Sequence, residues 1–210
     1  MLVIEPQAVQ PVADGPPNTE LAGVLTRAAS GDESAWRRLI DLFSRRVFAL
    51  AKSRCRDTGM AEEITQSVFA TVASKLPTGE YAEQGKFESW IFRVTMNRLR
   101  DEMRRLRRHA VPTDPAGFSS LPASANTGTP SPEELSPELV KLRSAMDGLA
   151  PADREVVELR HHGGLSFKQL AELLDEPLGT LLARHHRALK KLHTILTAQT
   201  DSQTPEGCEP

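Results

Sequence analysis

Arg93, Asn97, Arg100, Arg104, Arg107 and Arg108 recur at the three- and four-residue steps that line up one face of a helix. Advancing about 100° per residue, they fall within an arc of about 100°. The stretch KFESWIFRVTMNRLRDEMRRLRRH, residues 86–109, holds eight Lys or Arg against Glu88, Asp101 and Glu102. So one-sided a cationic face repels itself unless a polyanion meets it, which makes nucleic acid the expected partner. Phe87, Ile91 and Val94 fall on an adjoining apolar arc, and Trp90 sits at the border of the two. A border indole can stack on an unpaired base while guanidinium groups hold phosphates, as single-strand binders do; its plainer role is core packing. Leu99, Met103 and Leu106 fall on a different arc, so the far end of the helix is expected to pack differently or fray.

A second cationic set, Thr180, Arg184, Arg187 and Lys191, is spaced four, three and four, with His186 and Lys190 nearby. Leu178, Leu181, Leu189, Leu192 and Leu196 are expected to face the core of the same helix. It follows a short helix, FKQLAELL, and the turn DEP, which is a helix-turn-helix pattern. Its second helix would enter a major groove, with Arg184 reaching a guanine edge and Thr180 a phosphate or a thymine methyl. A helical hairpin with no DNA role has the same pattern.

Other chemistries find little support. His161, His162, His185, His186 and His193 include no His-x-x-x-His pair with an acidic third ligand, so neither a metal nor a cofactor is expected. Cys55 and Cys208 cannot make a disulfide framework. No glycine-rich phosphate loop, nucleophile elbow or catalytic triad appears, so the chain does not read as an enzyme. No stretch is apolar enough to span a membrane, and the start MLVIEPQAVQPVADGPP lacks a signal-like basic region and apolar core. A cytoplasmic location is the default expectation.

The elements that must position the two faces are all helical. Trp36, Leu39, Ile40, Phe43, Val47 and Leu50 mark an amphipathic helix over about 32–54, preceded by a shorter one over 19–29. After RDTG a third carries Glu62 and Glu63 in its expected first turn and Ile64, Val68, Val72 and Leu76 on one stripe, and Pro77 and Gly79 end it. The arginine helix, about 87–108, completes the block. In a second block Ser136 caps a helix opened by Pro137, with Leu139, Leu142, Met146 and Leu149 as its buried edge. Pro151 restarts the chain, Gly163 and Gly164 stop that helix, Ser166 with Gln169 forms a capping box for the short helix, and the last helix runs over about 178–196.

The organisation predicted is a tail, 1–18; a helical domain, 19–109; a flexible linker, 110–135; a helix-turn-helix domain, 136–196; and a tail, 197–210. The linker is rich in Pro, Ser, Ala, Thr and Gly. The net charge of −2 hides this division. Residues 1–20, 110–138 and 194–210 hold ten acidic side chains and no Lys or Arg, so the basic charge belongs to the helical blocks. The acidic residues Glu133, Glu134 and Glu138 could shield the basic faces in cis.

These residues resemble a known family. Residues 20–109 are similar to the second conserved region of bacterial sigma factors and 136–196 to the fourth, and a linker joining just these two is the plan of the extracytoplasmic-function group. The resemblance is carried by AEEITQSVFATV (61–72), FESWIFRVTMNRLRDEMRR (87–105), LAPADREVVELR (149–160) and LDEPLGTLLARHHRALKKL (174–192). It implies a promoter-recognition subunit of RNA polymerase with promoter DNA and core polymerase as partners. The surface of Glu62, Glu63, Gln66 and Phe69 would dock on the clamp helices of the large polymerase subunit, and the flap of the other large subunit would be contacted too. Trp90, Arg93, Asn97, Arg100, Arg104 and Arg108 would read and melt the −10 element, with Asn97 near a base taken out of the stack. Thr180, Arg184, Arg187 and Lys191 would hold the −35 duplex. An anti-sigma partner is a further implication. Leu181, Leu182 and Ala183 stand where the family commonly has Val, a basic residue and Ser, so one phosphate contact and one hydroxyl are missing. The alternative is a helix-turn-helix regulator that acts without being a polymerase subunit.

Overall fold

The computed structural model describes residues 18–79, 81, 85–109 and 136–201. The expected linker, most of the amino-terminal tail and residues 202–210 lie outside the described residues, and with them the shielding role of Glu133 and Glu134. The described residues form eight α-helices and no strand: α1 Asn18–Ala29, α2 Glu33–Cys55, α3 Thr58–Lys75, α4 Phe87–His109, α5 Pro137–Asp147, α6 Pro151–His161, α7 Phe167–Leu174 and α8 Leu178–Asp201.

Local chemistry sets the helix ends. The Asp32 carboxylate accepts from the amides of Ser34 and Ala35 at 2.8 and 3.3 Å and starts α2. Asp57 does the same for α3 through Met60 N–H at 2.7 Å. Because α3 begins at Thr58, Glu62 and Glu63 lie beyond its first turn, which holds no acidic residue. The N-cap Asp57 supplies the negative charge there instead. Ser136 caps α5 with Pro137 behind it, and Ser166 and Gln169 form the expected reciprocal capping box of α7. Arg56 and Asp175, both with positive φ, close α2 and α7. Helix α8 continues to Asp201, so residues 197–201 are helical where a tail was expected. The half-buried Ile195 and Leu196 still pack on the α5–α6–α8 core and carry the helix onward.

In the first block Leu39, Phe43, Val47 and Leu50 of α2, Ile64, Val68 and Val72 of α3 and Phe87, Ile91 and Phe92 of α4 form the centre. Each side chain of this size, fully buried, contributes about 1.5–3 kcal/mol. Ile40 was expected in this stripe but is exposed. Along α4 the buried arc takes in Phe92, Thr95, Met96 and Leu99 as well as Phe87 and Ile91, while Val94 is half-buried. The core therefore lies opposite the arginine arc rather than to one side of it, and Leu99 belongs to it. In the second block Leu139, Leu142, Leu178 and Leu189 are exposed instead of buried, and Leu149, Leu181 and Leu192 are buried as expected.

The blocks share a core. Val156 and Leu159 of α6, Leu165 after it, Leu170 and Leu173 of α7 and Leu181 of α8 join the cluster centred on Phe43 and Phe87. A smaller cluster of Ala145, Leu149, Val157, Ala188 and Leu192 holds α5, α6 and α8 together. Two blocks expected as separate modules thus meet along α2–α6 and α4–α7.

Candidate nucleic-acid interface

Helix α4 presents Arg93, Asn97, Arg100, Arg104 and Arg108 as exposed side chains. Each comes to the surface because Phe87, Ile91, Thr95 and Leu99, four residues apart, pin the opposite side in the core. Trp90 is half-buried at the border, its ring 4.8 Å from Tyr81 and 5.7 Å from Phe87. Phe87 in turn packs edge-on against Phe43 at 5.3 Å. The indole thus stands on an aromatic base with part of its surface open, a geometry suited to stacking. The resemblance places Tyr81 at the start of the −10 segment, but its ring contact with Trp90 was not legible in the sequence, since it precedes the helix and has no periodic relation to Trp90.

The arginines on this face are unequal. Arg93 donates to the carbonyl of Glu172 at 2.8 Å, and Arg100 donates to Glu155 at 2.8 Å while lying 3.5 Å from the Asn97 side-chain oxygen. Arg104 and Arg108 make no ion pair among the described residues.

The second cationic set is brought together by α8. Thr180 is exposed and Arg187 is mostly exposed, 3.9 Å from Asp153. Arg184 turns inward, donating to Glu176 at 2.8 Å with Asp153 at 3.8 Å. Lys191 donates to the carbonyl of Gly148 at 2.6 Å, which ties α8 to the end of α5. Helix α7, the turn 175–177 and α8 make the expected helix-turn-helix, with Leu170 and Leu181 packed between.

The third expected surface lies on α3. Glu62, Glu63 and Gln66 are exposed, and Phe69 is half-buried against the core. Glu62 and Gln66 border a shallow depression with Arg45 and Phe48 of α2.

The histidines form a pair the spacing did not reveal. His161 and His185 place their Nε2 atoms 3.1 Å apart, with ring centroids 5.3 Å apart. The centroid separation is close to the nitrogen gap plus two ring radii, so the nitrogens face each other in line and one donates to the other. Burial holds both below the ordinary imidazole range, with Arg160 adding to the effect. No cluster of three or more metal-ligating side chains occurs among the described residues, and no described helix is long and apolar enough to cross a membrane. Cys55 is a half-buried thiol that burial pushes up to about 11, followed in weight by Glu102 and Asp57.

Among the described residues, an aromatic-bordered arginine face on one helical block and a helix-turn-helix on the other are the two features suited to a nucleic acid. Residues 39–109 match the family model for sigma-70 region 2, and residues 139–192 that for sigma-70, region 4. The chain is 30% identical over 197 residues to the ECF RNA polymerase sigma factor SigE of Mycolicibacterium smegmatis, covering 91% of this chain and 74% of that one. It is 25% identical over 186 residues to SigK of Mycobacterium ulcerans, covering 88% and 98%. Its fold is similar to CnrH, solved in complex with the cytosolic domain of CnrY, at TM-score 0.61 and 22% identity over 83% of this chain and 96% of that one. It is also similar to the sigma factor RpoE of Bartonella quintana, solved with the anti-sigma factor NepR, at TM-score 0.54 and 20% identity over 77% and 96%. The chain belongs to the ECF sigma factors of RNA polymerase. Membership sets aside the regulator that acts without polymerase.

Proposed function

We propose that this chain binds core RNA polymerase and directs it to promoters, with a division of labour between its blocks. Trp90, Arg93, Asn97, Arg100, Arg104 and Arg108 engage the −10 element as strands part, arginines on phosphates and Trp90 stacking on a base. Thr180, Arg184, Arg187 and Lys191 hold the −35 element as duplex. Glu62, Glu63, Gln66 and Phe69 supply the docking surface for the clamp helices of the large subunit. The second block faces the flap of the other. The role is one of binding, not catalysis, and it is exercised in the cytoplasm, where polymerase and chromosome are. An anti-sigma factor is a further partner, in keeping with the complex in which RpoE was solved.

The observation that carries this reading is the pairing of two cationic faces on two family-matched segments, one beside a half-buried tryptophan and one on the second helix of a helix-turn-helix. The test is permanganate footprinting of promoter fragments selected from a genomic library by reconstituted holoenzyme. Reactive thymines confined to the −10 region, dependent on this chain, support it. Protection without strand opening would reject the proposed role of α4.

A further inference from the structure

A cavity of about 420 Å³ opens between α2 of the first block and α5 of the second. That volume falls in the range of sites that take small molecules, about 300–1,000 Å³. Its apolar wall is Phe48 and Ala49 of α2 with Leu139, Leu142 and Met146 of α5. Phe48 and Met146 are half-buried, while Leu139 and Leu142 are exposed. The three- and four-residue steps from 139 to 142 to 146 set these side chains on one face of α5. Two turns of helix thus hold a compact apolar surface in water, which favours an occupant that covers it.

The charge around that surface is one-sided. Arg45, Lys52, Arg56, Arg143 and Arg154 line the cavity against the single carboxylate of Glu158. Glu158 is buried and is spent on Arg54 and Arg154. Arg56 and Arg154 both reach Asp147, and Lys52 donates to the Thr58 hydroxyl. His162 adds no charge at neutral pH, since burial holds it below the ordinary imidazole range. Arg45 and Arg143 have neither a hydrogen bond nor an ion pair among the described residues. Arg143 is also half-buried, and a cation partly withdrawn from water without a counter-charge is a place where an anion binds favourably.

The two features select a ligand only when taken together. A phosphodiester strand would satisfy the arginines and leave the leucines in water, and a neutral hydrocarbon would do the reverse. A protein helix of ordinary length, about three or four turns, would overrun a wall of two. We propose that this cavity binds a free fatty acid, with the acyl chain against Phe48, Leu139, Leu142 and Met146 and the carboxylate on Arg143 and Arg45. The site draws on both blocks and uses none of the residues assigned to promoter DNA or to polymerase.

The experiment is isothermal titration of the free full-length protein with sodium dodecanoate below its micelle concentration, beside decanoate and dodecyltrimethylammonium. The expected result is saturable binding of one dodecanoate, roughly tenfold weaker binding of decanoate for its two missing methylenes, and none of the cationic amphiphile. Arg143→Gln should weaken dodecanoate about tenfold, and Leu142→Asp should abolish its binding. Both side chains reach the surface, and circular dichroism verifies that each variant keeps its helices. No saturable binding, equal binding of the cationic amphiphile, or unchanged affinity in either folded variant would overturn the proposal. Two further measurements give the surface to another occupant and overturn it as well: a wild-type dimer in sedimentation that Leu142→Asp disperses, or binding to phosphatidylglycerol vesicles with no saturable binding of monomeric dodecanoate.

Discussion

Arg46 of α2 donates its Nε to the carbonyl of Gly163 at 2.7 Å, across 117 residues of sequence. The next residue, Gly164, has φ of 65°, and a Cβ there would lie 3.2 Å from the same Nε. A Cβ on Gly163 would come within 2.5 Å of the Leu159 carbonyl. The glycine pair therefore ends α6 and also leaves room for an arginine from the other block. Arg46 is further placed over the rings of Phe43 and Phe92 at 5.4 and 5.2 Å.

Removal of this arginine leaves Glu88 largely buried, with the Gln169 amide still donating to it. Arg46→Ala is expected to lower unfolding free energy by about 2–3 kcal/mol. Arg46→Lys recovers only part of that, because one ammonium cannot serve Gly163 and Glu88 in the same fork geometry. Urea denaturation followed by circular dichroism checks both, and a change below about 0.5 kcal/mol for the alanine variant would contradict this role of Arg46.

Glu158 presents a sharper case, since its carboxylate lies between Arg54 and Arg154 with no exposure of its side chain. Glu158→Gln leaves a cationic pair without its counter-charge and is expected to cost about 3 kcal/mol or more. Glu155→Gln, at the solvent edge beside Arg100, is expected to cost under about 1 kcal/mol. Equal losses for the two would show that burial does not set the energetics of this interface.

Acid sensitivity should trace to the imidazole pair. The folded chain holds His161 and His185 below the ordinary value, so as pH falls through about 6.5 the unfolded chain takes up protons the fold resists. Stability is thus full above that range and lost below it. The groups facing the pair are Arg160, His162 and His186, and Phe167 lies edge-on to His185. Thermal melts should therefore fall between pH 7.5 and 5.5. The drop should shrink in His161→Gln/His185→Gln, and an unchanged drop would assign the effect elsewhere.

The two DNA faces should fail in different ways. Arg184→Ala is expected to weaken holoenzyme binding to a −35-containing duplex by about 1–3 kcal/mol with strand opening preserved once bound. Asn97→Ala is expected to leave closed-complex affinity within about twofold while slowing opening. Mobility shifts and permanganate reactivity on one promoter measure the two quantities. Equal losses of duplex affinity would contradict the division.

The helices were legible because their signals are local: the i, i+4 stripe of Leu39, Phe43, Val47 and Leu50, the cap at Asp32, the box at Ser166 and Gln169. The arginine face followed from the same periodicity. What periodicity cannot carry is which elements of distant sequence meet. Glu88 looked like one acid in a basic helix, yet it is a junction of α2, α4 and α7. Arg184 looked free to enter a groove, yet Glu176 from the preceding turn and Asp153 from α6 hold it. Leu139 and Leu142 fall on the core stripe by spacing but remain exposed, while the cluster shared with α6 and α8 takes in Ala145 and Met146 of α5 and Leu149 just after it.

Run-off transcription by core polymerase, with and without this chain, on promoter fragments taken from genomic DNA tests the central claim most directly. The account predicts discrete transcripts that appear only when the chain is added and vanish when either the −10 or the −35 segment is scrambled. Stable failure of the purified, folded chain to bind core polymerase, with no start site selected on any fragment, would contradict it.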